Sequence, residues 1–272
     1  MKELHKVPFV REEDAAAPCR CPKLETADES RDRYRCAVDK QSPEAAVLEA
    51  IRADAAGGET TPVRICRACV VHMPIDGAAL SLLGKESQIE RVGSSDETTG
   101  RLEELQTTLG EGPAFDAVSL SAPVLIDDVR SVDLNRWPLF LGAIAGESAC
   151  SMFVFPLQFG AVRLGALSLY RRSHGRLPGT ALAAALRVAD VIAMLFLGRE
   201  GDLTEDFAEE WLDESSWSRE VHQATGMLIA QLGIGAEESF VRLRAHAFAQ
   251  GRPLSDVARD VISRRLRIGD GA

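Results

Sequence analysis

Seven arginines and no lysine lie between residues 241 and 267: Arg242, Arg244, Arg252, Arg259, Arg264, Arg265 and Arg267. Only Asp256 and Asp260 oppose them in that stretch. A guanidinium is a planar fork of donors. It can bond a phosphate through parallel hydrogen bonds, and a loop base can stack on its plane. The cluster suits contact with nucleic acid; the competing account is a solvated helical face. A second run of interest is Gln223-Ala224-Thr225-Gly226. Small residues at 224 and 226 let a partner approach a helix closely, or let helices pack closely.

The net charge of −10 argues against a nucleic-acid binder when read over the whole chain. Residues 217–272 hold eight arginines and six acids, which gives +2 and leaves −12 for the rest. The basic end therefore stands apart.

Other chemistry is sparse. Cys66-x-x-Cys69 falls in a helical pattern, where two small buried thiols are expected rather than a redox pair. Cys19-x-Cys21 with Cys36 has a spacing that does not fit a zinc hook. His72, His174, His222 and His246 show no ligand spacing. Neither H-E-x-x-H, G-x-S-x-G nor a phosphate loop occurs. Asp127 and Asp128 are neighbours at a strand end and point apart. No metal and no cofactor are expected, and the chain does not read as an enzyme.

These residues need elements to hold them. Residues 1–42 are charged, lack a sustained period and are expected to be poorly ordered. From 43 to 198 helix and strand patterns alternate: helices from Pro43 and Val63, strands at 77–83 and 88–93, and a helix over 97–108. The sharp Gly110-Glu111-Gly112-Pro113 break, a short helix at 114–118 and a strand at 123–126 follow. A helix at 137–145, a hairpin at 152–170 and a long apolar helix at 180–197 complete the region. Strands that come in hairpin pairs predict an α+β fold: an antiparallel sheet flanked by helices. Residues 199–219 are acidic, with Leu203, Phe207 and Trp211 four apart, and read as a helical connector packed in a dimer. Three short helices follow over 220–268: one from Glu220 stopped by Gly233, one over 236–249, and one opened by Ser255-Asp256. The apolar fraction of 46% fits a packed core, and no run long enough for a membrane span occurs. The charged MKELHKVPFVREED start lacks a signal-peptide run, so a cytoplasmic protein is expected.

Two resemblances follow from particular residues. The strand GAALSLL, the segment LGEGPAFDAV (109–118), the strand PVLIDD and the hairpin MFVFPLQFGAVRLGALSLYRR resemble a GAF domain over about 45–200. That resemblance implies a sheet forming one wall of a small-ligand pocket. Ala114 stands where related segments often carry Cys. The run VHQATGMLIAQLGIGAEESFVRLRAHAFAQGRPLSDVARDVI resembles an ANTAR domain almost end to end. That resemblance implies a dimeric module that binds paired stem-loops in nascent RNA and prevents a terminator hairpin. Thr225 departs from the family, which often has Lys there. The expected RNA-binding residues are Gln223, Ala224, Thr225, Gly226, Arg242, Arg244, Arg252 and Arg259, with Arg244 foremost. The expected function is a signal-responsive antitermination regulator acting as a homodimer. The alternatives are a DNA-binding regulator with the same sensor, or a haem or redox sensor using His72 or His174.

Overall fold

The computed structural model describes residues 42–52, 61–84, 88–145, 147, 149–195 and 216–269. The N-terminal segment through residue 41, with Cys19, Cys21 and Cys36, lies outside the described residues, as does the acidic connector through residue 215.

Five strands form one antiparallel sheet in the order β2-β1-β5-β4-β3. They are β1 (Gly77–Leu83), β2 (Ile89–Ser94), β3 (Val124–Ile126), β4 (Ser151–Phe159) and β5 (Val162–Arg171). The β4–β5 hairpin is the longest pairing, from Ser151 opposite Arg171 to Phe159 opposite Val162. Both faces of the sheet are covered. β4 sends Phe153, Phe155 and Leu157 to one side and Met152 and Val154 to the other, as the two-residue strand period requires. That alternation explains why the strands read as unbroken apolar runs.

On the first face lie α1 (Pro43–Arg52), α2 (Thr61–His72) and α6 (Gly179–Leu195). They bury Val47, Ile65, Cys66, Cys69, Val188 and Ile192 against the sheet. On the second face lie α3 (Glu97–Leu109), α4 (Pro113–Leu120) and α5 (Pro138–Ala143). Leu102, Ala117, Trp137 and Phe140 fill that side. Asp96 caps α3 by accepting from the Thr99 backbone N–H at 3.0 Å and the Thr99 hydroxyl at 2.7 Å. Gly110 ends α3 in the left-handed region, at φ 71°, where glycine meets no Cβ penalty. Gly112, at φ 138°, turns the chain into Pro113, and a Cβ there would sit 2.6 Å from Gln106 Oε1.

The C-terminal helices are α7 (Ser216–Leu232), α8 (Ala236–Gln250) and α9 (Leu254–Ile262). They have their own core of Val221, Ala224, Leu228, Leu243, Val257 and Val261 with neighbours. α9 differs from its expected start. It begins at Leu254, one residue before Ser255, and no side chain of its own caps it. The module does not stand alone: α8 packs on α3, and α7 on β2.

Candidate nucleic-acid interface

α7 presents Gln223 and Gly226 to solvent and holds Thr225 half-buried. The Thr225 hydroxyl donates to the Val221 carbonyl at 2.8 Å, so it already has a partner along the helix. Among the described residues, nothing lies within 4 Å of where a Cβ at Gly226 would stand. A mid-helix glycine costs about 1 kcal/mol relative to alanine. At Gly226 that cost leaves a bare stretch of helix open to a partner. Ala224 corrects the expectation placed on it. It has no exposed surface and sits in the three-helix core. Its small size serves helix packing, and its side chain cannot touch a ligand in this arrangement.

Three of the four expected arginines are paired. Arg242 bonds Glu238 at 2.8 Å, one helical turn away. Arg252 bonds Asp260 at 2.6 Å, and Arg259 bonds Asp256 and, at 3.3 Å, Glu220. The Arg252 guanidinium, aided by Arg265, holds the Asp260 carboxyl below the usual carboxylate range. Arg244 has no hydrogen bond or ion pair among the described residues, and it is half-buried. Its guanidinium lies over the Gly110 turn; a Cβ on Gly110 would come within 2.9 Å of Arg244 Nη1. The expected set is therefore divided. Gln223 and Gly226 lie open on α7, with Arg259 tied to its first turns through Glu220. Arg244 lies where the module meets the sheet domain.

That seam is held by residues the sequence reading did not single out. Glu104 on α3 is buried, and its Oε1 accepts the Ser255 backbone N–H at 2.7 Å. A carboxylate from one domain thus caps the first turn of α9 in the other. His222 Nε2 lies 2.8 Å from Glu90 Oε2 on β2, with Glu90 buried and the His222 side chain 54% exposed. Acids inside the apolar stripes of α3 and β2 are the only sequence signal for either contact.

The sheet domain holds a buried polar network on its α3 side. Tyr170 donates to Glu103 Oε1, Ser81 Oγ donates to Glu103 Oε2 at 2.8 Å, and Gln106 Nε2 donates to Glu103 Oε1 at 3.2 Å. Gln106 Oε1 in turn accepts the Ala114 N–H at 2.8 Å, fastening the start of α4. Burial, then the Glu103 charge, pushes the Tyr170 hydroxyl well above its ordinary pKa. The cavity beside it, at Asp76, Gly77, Asp96 and Tyr170, holds about 20 Å³, room for a single water. Burial raises the Cys66 thiol and pushes Cys69 up to about 12, so both are inert packing thiols at neutral pH. His72 and His174 line neither this cavity nor the larger cleft at the seam. Among the described residues no helix is long and apolar enough to cross a membrane.

Residues 218–262 match the family model of the ANTAR domain, which spans α7 to α9, so the chain carries that domain at its basic end. No curated protein matches the chain in sequence. Among solved structures, the chain is similar to the GAF domain from Acinetobacter phosphoenolpyruvate-protein phosphotransferase. That likeness has 12% identity, covers 60% of this chain and 95% of that one, and has a TM-score of 0.46. It is also similar to the GAF domain of a phosphoenolpyruvate-protein phosphotransferase from Coxiella burnetii, at 13% identity, 54% and 86% coverage, and a TM-score of 0.43. A third likeness is to a type II free methionine-R-sulfoxide reductase from Thermoplasma acidophilum, at 20% identity, 48% and 86% coverage, and a TM-score of 0.38.

Proposed function

We propose that the protein is a signal-responsive regulator of transcription antitermination, in which the ANTAR domain binds stem-loops in nascent RNA under the control of the GAF-like sheet domain. The match over residues 218–262 carries this reading. Arg244 and the bare face at Gly226 support it, because one offers an unpaired guanidinium and the other a close approach to the helix. Gln223 lies exposed near Gly226 on α7; Arg242, Arg252 and Arg259 serve as further contacts by exchanging their acid partners for phosphate, and Thr225 stands in place of a cation. The regulator acts in the cytoplasm as a homodimer. A small molecule or partner at the sheet domain changes how firmly the two domains hold each other. Such control requires that the effector bind the docked and released states unequally.

The test is competition. Stem-loop RNA should displace duplex DNA of equal length from the full chain, with an affinity that falls as salt rises. Crosslinking in cells followed by sequencing should recover tandem hairpins upstream of terminators. Preference for duplex DNA, or recovery of ribosomal RNA alone, would sink the proposal.

A further inference from the structure

A cleft of about 410 Å³ opens between the sheet domain and the ANTAR domain. Leu105 and Leu109 of α3 and Leu139 and Ala143 of α5 form one wall. Ala247 and Phe248 of α8 form the other. Leu139 and Phe248 are 44% and 49% exposed, so large apolar side chains from both domains face the opening. A volume of this order is that of a small-molecule site.

The charged groups that line the cleft each have a partner. Arg101 pairs with Glu147 at 3.2 Å, Arg252 with Asp260 at 2.6 Å, and Glu104 accepts the Ser255 N–H at 2.7 Å. A charged ligand would compete with these pairs, whereas an uncharged apolar one leaves them intact and buries both apolar walls. The Thr108 hydroxyl, in the same wall, is buried and has no hydrogen-bond partner among the described residues. A buried hydroxyl without a partner is unfavourable until something bonds it.

We propose that this interdomain cleft is a binding site for an uncharged, largely apolar small molecule with the bulk of two or three aromatic rings and one hydrogen-bonding group. The occupant touches both walls, so it holds the two domains together. The site stands independently of RNA binding; only the consequence that its occupant restrains the ANTAR domain rests on the function proposed above.

N-Phenyl-1-naphthylamine is a suitable probe: it is uncharged, carries one N–H, and brightens in apolar surroundings. Titrated into the full chain, it should saturate at one molecule per chain. Ala143→Trp, at an exposed position in the wall, should weaken probe binding at least tenfold while leaving the melting temperature unchanged. Phe248→Ala tests the opposite wall and should weaken it severalfold; this variant decides the matter if Ala143→Trp fails to fold. Hydrogen exchange should show probe-dependent protection at residues 105–109 and 247–253 together. Unsaturable binding, affinity untouched by the folded variants, or protection of one wall alone would overturn the proposal. RNA binding is measured separately: a saturable, variant-sensitive probe with no RNA binding leaves the cleft site standing and removes only the regulatory reading.

Discussion

Arg244 holds a charge that no acid among the described residues neutralises, whereas Arg242 is already tied to Glu238. That contrast sets an order of effects. Arg244→Ala should weaken stem-loop binding about tenfold and lower the salt slope by about 1, in a titration at several salt concentrations. Arg242→Ala should cost less than half as much in free energy. If the two are equal, Arg244 is not a principal contact. Thr225 is the complementary case. Its hydroxyl is occupied by Val221, and the position is half-buried, so it adds no charge to the face of α7. Thr225→Lys should carry its ammonium to the surface on a flexible stem. The expected outcome is severalfold tighter RNA binding with a salt slope steeper by about 1.

Asp96 shows how an element's end depends on protonation. Burial pushes its carboxyl up, but hydrogen bonds from Thr99 and Ser95 outweigh that and hold it below its ordinary value. A carboxyl depressed by folding contributes stability above its unfolded pKa, and that contribution fades as pH falls through the folded value. The α3 cap should therefore be fully effective at neutral pH and weaken in acid, below about pH 4. Asp96→Ala should lower stability by about 1 kcal/mol near neutrality. Chemical denaturation should show the mutant and parent converging as the pH drops; a constant difference would exclude the cap as the cause. Helices and strands of this kind were largely legible in advance. The β4–β5 hairpin, the α3 helix and the Gly110–Pro113 turn follow from period, capping and glycine placement, each a local signal. The start of α9 follows to within one residue, but its cap does not, because it comes from Glu104, 151 residues away. The arginine positions were legible, but their pairing was not: Asp260 takes both Arg252 and Arg265, which spacing alone does not reveal. Ala224 was ambiguous between close packing and close approach until its burial was known.

At the scale of the molecule, the seam ties the two domains together. Glu104, the His222–Glu90 contact and Arg244 over Gly110 join a sheet domain to a basic helical domain. Loosening it should release the ANTAR face. Glu104→Ala should speed hydrogen exchange at the Ser255 amide in the full chain. It should also raise stem-loop affinity about fivefold, a coupling of roughly 1 kcal/mol. Faster exchange with unchanged affinity would show that docking does not restrain binding. The trans-domain cap also limits how freely the parts can be exchanged. A fragment cut at residue 216 carries all three helices yet leaves the Ser255 amide without its carboxylate. A chimera that grafts this ANTAR domain behind another sensor must bring an acid at the place of Glu104, or it begins with a frayed third helix. In this chain the two domains are thus less interchangeable than beads on a string, and recombination between chains built this way should preserve that acid together with the helix it caps.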